Sequence, residues 1–106
     1  MGPRMTLPTQ LVLEVLLGDP DRELYGYEIG GAAGLPSGTV HPILARLEAC
    51  GWLESRWEEI DPQQAGRPAR RYYRLTGSGV GESQRDLARA HRARWRTGLV
   101  PAPERP

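Results

Sequence analysis

The chain has 106 residues, which is room for one domain with a thin core: a fold this size buries only about two-thirds of the surface its unfolded chain exposes. A hydrophobic fraction of 39% with 25% charged residues excludes a disordered chain, the absence of any apolar run near the roughly 20 residues a bilayer needs excludes a membrane-spanning helix, and the single cysteine, Cys50, excludes an internal disulfide. The net charge is only +1, but it divides unevenly: four arginines face ten acids over residues 1–66 (−6), and ten arginines face three acids over residues 67–106 (+7).

All 14 basic residues are arginine. Arginine grips phosphates and base edges bidentately, which suits nucleic acid; Arg, Gly, Ala and Pro are also what GC-rich coding favours, and that explains most of the missing lysine. The placement of the charge is the more informative signal. The opening decapeptide, Met1 to Gln10, lacks the apolar core of a signal peptide, which predicts a cytoplasmic protein.

In chain order, Leu7 to Leu17 forms the first periodic segment, with Thr6 able to cap its start and Gly18 its end. Leu11, Val12, Leu13, Val15, Leu16 and Leu17 make it apolar on most sides, so more than one face is covered, and a partner chain would cover the second. After the turn Asp19-Pro20-Asp21, the run Leu24 to Ile29 begins a short second helix; Gly30, Gly31 and Gly34 weaken it and end it near Ala33.

Leu35 to Thr39 is a turn and a helix start, with Ser37 or Thr39 as N-cap. Val40, Ile43, Leu44 and Leu47 follow at i, i+3, i+4 and i+7, the apolar stripe of an amphipathic helix, with Pro42 tolerated in its first turn and Gly51 ending it after Cys50. The opposite face carries Ser37, His41, Ala45 and Glu48, with Arg46 to one side; it is small and polar enough to enter a groove.

Trp52 to Trp57 alternates as a strand, Glu58 to Pro68 is a loop, and Ala69 to Leu75 alternates as the returning strand of a hairpin. Arg67, Arg70, Arg71 and Arg74 crowd the second half of that hairpin. Tyr25, Tyr27, Trp52, Trp57, Tyr72 and Tyr73 read mainly as core, because the chain has no Phe to fill the space, with a DNA contact from Tyr27 as the alternative to the default. Thr76 to Gly79 breaks the strand and caps a last helix, roughly Val80 to Trp95, whose apolar marks (Val80, Leu87, Ala88, Trp95) are too sparse for a stable lone helix. Gly98 to Pro106 reads as a disordered tail.

The predicted fold class is therefore mainly α with a β-hairpin wing: a winged helix-turn-helix over residues 1–75, a C-terminal dimerisation helix over 76–97 and a tail over 98–106. Tyr25-Gly26-Tyr27-Glu28-Ile29, Leu35-Pro36-Ser37-Gly38-Thr39-Val40-His41-Pro42-Ile43-Leu44, Arg46-Leu47-Glu48, Gly51-Trp52-Leu53, Gly66-Arg67-Pro68 and Arg71 to Thr76 together resemble the PadR family of transcriptional regulators, from about Leu11 to Leu87. His41 stands where that family usually has Tyr, and the stretch from Ile29 to Leu35 is shorter and richer in Gly than usual.

The resemblance implies a DNA-binding regulator that acts on the nucleoid. Ser37, Gly38, Thr39 and His41 would meet base edges at the start of the recognition helix, and Arg46 would lie near phosphate. The wing would add Arg67 and Arg70 at the backbone or in the minor groove, with Glu58, Glu59 and Asp61 turned away from phosphate. Leu11, Leu87 and Trp95 would pack a homodimer, reading half-sites about one DNA turn apart, and Trp95 can alternatively stack on a flat aromatic effector. The rival reading is a winged-helix module that binds protein instead of DNA. The sequence carries no nucleophile–base pair, phosphate loop or metal-ligand spacing, which points to no enzymatic activity, no cofactor and no metal. Cys50 reads as an inert thiol.

Overall fold

A computed structural model of the chain describes residues 2–96. Its elements are α1 (Leu7–Gly18), β1 (Leu24–Tyr25), α2 (Gly26–Ala33), α3 (Ser37–Ala49), β2 (Leu53–Trp57), α4 (Pro62–Ala65), β3 (Arg71–Leu75) and α5 (Gly77–Arg96). The three strands form one antiparallel sheet in the order β1-β3-β2, with Leu24 opposite Tyr73 and Leu53 opposite Leu75. This is the expected winged helix-turn-helix with an added C-terminal helix. The predicted tail, Gly98 to Pro106, lies outside the described residues.

The core sits where α1, α2 and α3 meet the inner face of the sheet. Val12, Leu13 and Leu16 of α1, Ile29 of α2, the α3 stripe Val40, Ile43, Leu44 and Leu47, and Trp52, Leu53, Tyr73 and Leu75 are all buried in one cluster. Each fully buried aliphatic side chain contributes on the order of 1.5–3 kcal/mol, so the α3 stripe alone fixes that helix's rotation about its axis.

The helix ends explain the element boundaries. Thr6 caps α1, its hydroxyl accepting from the Thr9 amide at 3.4 Å. Gly34, at φ 71°, ends α2, and the Leu35 amide donates to the Gly30 carbonyl at 2.9 Å, so the turn into α3 is tight. Gly51, at φ 83°, ends α3, and the Trp52 amide returns to the Leu47 carbonyl at 3.0 Å. Both closures need a left-handed residue, which only glycine supplies without strain. Thr76 caps α5, accepting from the Gly79 amide at 2.9 Å.

Four expectations are corrected. Leu24 and Tyr25 belong to no helix: they pair with Tyr73 and Tyr72 of β3 as an edge strand, and α2 starts only at Gly26. Neither Ser37 nor Thr39 caps α3; Pro36 takes the N-cap position with no side-chain hydrogen bond, and Ser37 is already the first helical residue. Pro42 consequently falls in the second turn of α3, inside the helix. Its ring must pass the carbonyl of residue 38, where Gly38 has no neighbour within 4 Å of a Cβ. Finally, Tyr27 and Trp57 are 82% and 59% exposed and fill no core.

Candidate nucleic-acid interface

The turn between α2 and α3 presents the face of α3 opposite its buried stripe. Ser37, Gly38, His41, Pro42, Ala45 and Arg46 are all exposed there, and Thr39 is half-buried at the edge. Pro36 offers no capping oxygen, so the first amides of α3 have no side-chain acceptor. Arg46 forms no ion pair among the described residues, so its charge is free to act outward. The His41 ring packs against Gly26 at the start of α2: a Cβ on Gly26 would lie 2.9 Å from His41 Cε1. Glycine there is what lets the imidazole lie between the two helices and still be exposed.

The wing is more constrained. Its loop contains the short helix α4, capped by Asp61, whose carboxylate accepts from the Gln63 amide at 3.0 Å. Arg67, placed at the wing by sequence, is clasped by Glu58: its two terminal nitrogens donate at 2.7 and 3.0 Å to the two carboxylate oxygens. That hydrogen bonding, the largest of several influences, holds the Glu58 carboxyl down at about 2, well below the usual carboxylate range. The Arg70 amide also donates to Glu58, at 3.2 Å, so one carboxylate closes the root of the loop. Glu58 therefore points inward to its arginine, and the Arg67 cation is already partnered.

The other wing arginines follow the strand alternation. Arg71 is on the inner side, donating to Ser55 Oγ at 3.0 Å, approaching Glu48 at 3.5 Å and lying 5.2 Å from the Trp57 ring centre. Arg74 is on the outer side, paired across the strands with Glu54 at 2.7 Å. Arg56 holds Glu23 at 2.6 and 3.1 Å, which lowers the Glu23 carboxyl, and it lies over Tyr72. Arg70 has no carboxylate within ion-pair distance among the described residues; its guanidinium carbon lies over Tyr25, 4.3 Å from the ring centre. Of the two wing residues the sequence selected, the structure keeps Arg70 available and occupies Arg67.

The residues assigned to dimer contact lie on α1 and α5. Leu11 is half-buried on α1, Leu7 is 54% exposed one turn before it, and a groove between α1 and α5 is lined by Gln10, Glu14, Leu87, Ala88 and His91. Leu87 packs partly on the core, and Trp95 lies further along α5 with its ring 4.6 Å from that of His91. Neither the exposure of Tyr27, for which core was the default reading, nor the Glu58–Arg67 clasp can be settled from the sequence. The first needed the burial of its neighbours, and the second needed the hairpin register that brings residues nine apart together.

A buried helical stripe, a bare polar face on the second helix of a helix-turn-helix, and an arginine-bearing wing define the winged-helix class of transcription regulators. The solved structures agree. The PcaV transcriptional regulator from Streptomyces coelicolor matches at TM-score 0.68 and 26% identity over 87% of this chain, which spans 62% of that protein's length. The smu.1704 protein from Streptococcus mutans matches at TM-score 0.66 and 26% identity, covering 100% of this chain and 99% of that one. A transcriptional regulator from Clostridium thermocellum matches at TM-score 0.67 and 20% identity over 89% of this chain and 92% of its own, a likeness of fold alone. No curated protein matches the sequence. Residues 12–85 match the model of the transcriptional regulator PadR-like family, and the chain belongs to that family. No helix among the described residues is long and apolar enough to cross a membrane.

Proposed function

We propose that this protein is an operator-binding repressor that works in the cytoplasm as a homodimer. The single observation that carries the DNA reading is the exposed face of α3: small, polar, uncapped and holding one arginine that is unpaired among the described residues, on a helix whose other face is buried. Such a helix can enter a major groove without clash and without losing core contacts. Ser37, Gly38, Thr39 and His41 read base edges, Arg46 meets phosphate, and Arg70 reaches the backbone or the adjacent minor groove. Arg67 joins only if phosphate competes with Glu58.

In this reading residues 1–75 form the DNA-binding unit and residues 76–97 the dimerisation helix. The exposed Leu7, the half-buried Leu11 and the α1–α5 groove beside Leu87 support a second copy as the cover, with Trp95 at the contact. A flat aromatic effector stacking on Trp95 would shift the spacing of the two recognition helices and release the operator. It can do so only through different affinities for the two states. A solved PcaV structure is described as a complex with its natural ligand, which makes an effector a reasonable component of this scheme.

The test is selection of bound duplexes from a random DNA pool at near-physiological salt. Enrichment of a two-fold symmetric sequence, with affinity falling as salt rises by a slope of about −0.9 per phosphate contact, is the expected result. Retention of no duplex, with or without candidate aromatic ligands, would overturn it in favour of a protein-binding winged helix.

A further inference from the structure

Tyr27 is the most exposed large apolar side chain among those described, at 82%. It is also an ordered part of a stack. Its ring lies parallel to that of Tyr25, with centres 6.4 Å apart, and Tyr25 meets Tyr72 edge-on at 5.7 Å. Arg70 covers Tyr25 at 4.3 Å. Between the two tyrosines, Gly26 touches the His41 ring of α3. The result is a continuous strip: His41 on the recognition helix, Tyr27 at the start of α2, Tyr25 on the edge strand, and Arg70 at the root of the wing.

Its location suggests an occupant. A winged helix that places α3 in a major groove and its wing in the adjacent minor groove must pass, between the two, the sugar–phosphate strand that separates those grooves. The strip is the surface joining α3 to the wing root. It is aromatic, it carries a phenol hydroxyl, and it holds a cation without a carboxylate partner among the described residues. Those are the features a deoxyribose face and a phosphate oxygen would meet.

We infer that Tyr27 and Arg70 clamp the DNA backbone between the two grooves, Tyr27 donating its hydroxyl to a phosphate oxygen and packing its ring on the sugar, and Arg70 supplying the charge from its seat on Tyr25. The inference rests on the DNA-binding reading above. The clamp contributes affinity without sequence preference, because it touches no base edge. It also ties the wing to the recognition helix, so both engage the same turn of DNA.

The experiment is an anisotropy titration of the wild type, Tyr27→Phe, Tyr27→Ala, Arg70→Met and His41→Ala, on the selected duplex and on a scrambled one, from roughly 50 to 200 mM salt. Tyr27→Phe should weaken both duplexes equally, by about tenfold, as expected for losing a hydrogen bond to a charged acceptor. Arg70→Met should reduce the salt slope by about 0.9, whereas His41→Ala should narrow the gap between the two duplexes. Since Tyr27 points into solvent, its variants should keep the wild-type melting temperature, which is measured alongside. Wild-type affinity for Tyr27→Phe overturns the phosphate contact, even if Tyr27→Ala binds weakly. A loss confined to the selected duplex overturns it too, and makes Tyr27 a base reader. If the wild type binds neither duplex, the DNA-binding reading fails and the clamp fails with it; that result is distinct from wild-type binding that is indifferent to Tyr27.

Discussion

The recognition helix and the wing carry their charge in opposite ways. The outward face of α3 has a single arginine, Arg46, and that arginine is unpaired among the described residues. The second half of the wing has four arginines, and three of them are held: Arg67 by Glu58, Arg71 by Ser55 and Glu48, Arg74 by Glu54. A count of positive residues would rank the wing as the main electrostatic surface. The ion pairs show that most of its arginines are structural, tying the two strands of the hairpin to each other and to α3. The helix, positioned by its buried stripe, can leave its one cation free. Charge available to a partner is what remains after internal pairing.

The largest effect should come from removing what positions the helix. Leu44→Ala, at a fully buried site, should cost about 2–5 kcal/mol of stability by urea unfolding, whereas Trp57→Ala, at an exposed position of β2, should cost far less. If both variants unfold alike, the hairpin is as much part of the core as α3 and the contrast fails. Next comes the free cation: Arg46→Ala should lower the salt slope of duplex binding by about 0.9, and Arg67→Ala should leave it nearly unchanged. Equal slopes for the two variants would show that phosphate displaces Glu58.

A smaller change of opposite sign is expected from Glu58→Gln, which frees Arg67 and should steepen the salt slope. The same pair sets a pH window. Because the folded Glu58 carboxyl is depressed to about 2, its contribution is complete above the ordinary carboxylate range and is lost as pH falls from about 4.5 towards 2. Carboxyl-detected NMR titration of Glu58 should place its midpoint in that low range; a midpoint near 4 would mean the clasp is open in solution. Smallest of all, a Glu54→Ala and Arg74→Ala double-mutant cycle should show coupling near the limit of measurement, since the pair is exposed.

Much of this was legible in the sequence for physical reasons. The i, i+3, i+4, i+7 spacing of Val40, Ile43, Leu44 and Leu47 fixes both a helix and its buried side, and strand alternation correctly separates Arg71 from Arg70 and Arg74. What escaped was non-local. Two residues, Leu24 and Tyr25, have no period to detect and are a strand only because β3 lies beside them. Gly79 reads as part of the strand break that caps the last helix, yet it is a buried residue inside α5, where a Cβ would overlap the Trp52 carbonyl and sit 2.8 Å from its carbon. Its role is close approach of the last helix to the turn after α3. Tyr27 reads as core by default, with DNA contact as the lesser alternative, because composition alone cannot say which aromatics the core has room for.

The contact between Gly26 and His41 has a consequence for how such a protein can change its target over generations. Ser37, Gly38 and Ala45 are outward-facing residues that the core does not need, so drift at those positions costs little folding stability. Residue 41 is different, because its ring occupies the space left by the missing side chain at 26. An enlarged residue 26 would displace the ring, and a substitution at 41 would leave the glycine beside a gap. The two positions should therefore change in concert: under the proposed role of His41 in base reading, lineages that acquire a new operator through residue 41 should also carry a trace of the event one helix earlier, at residue 26.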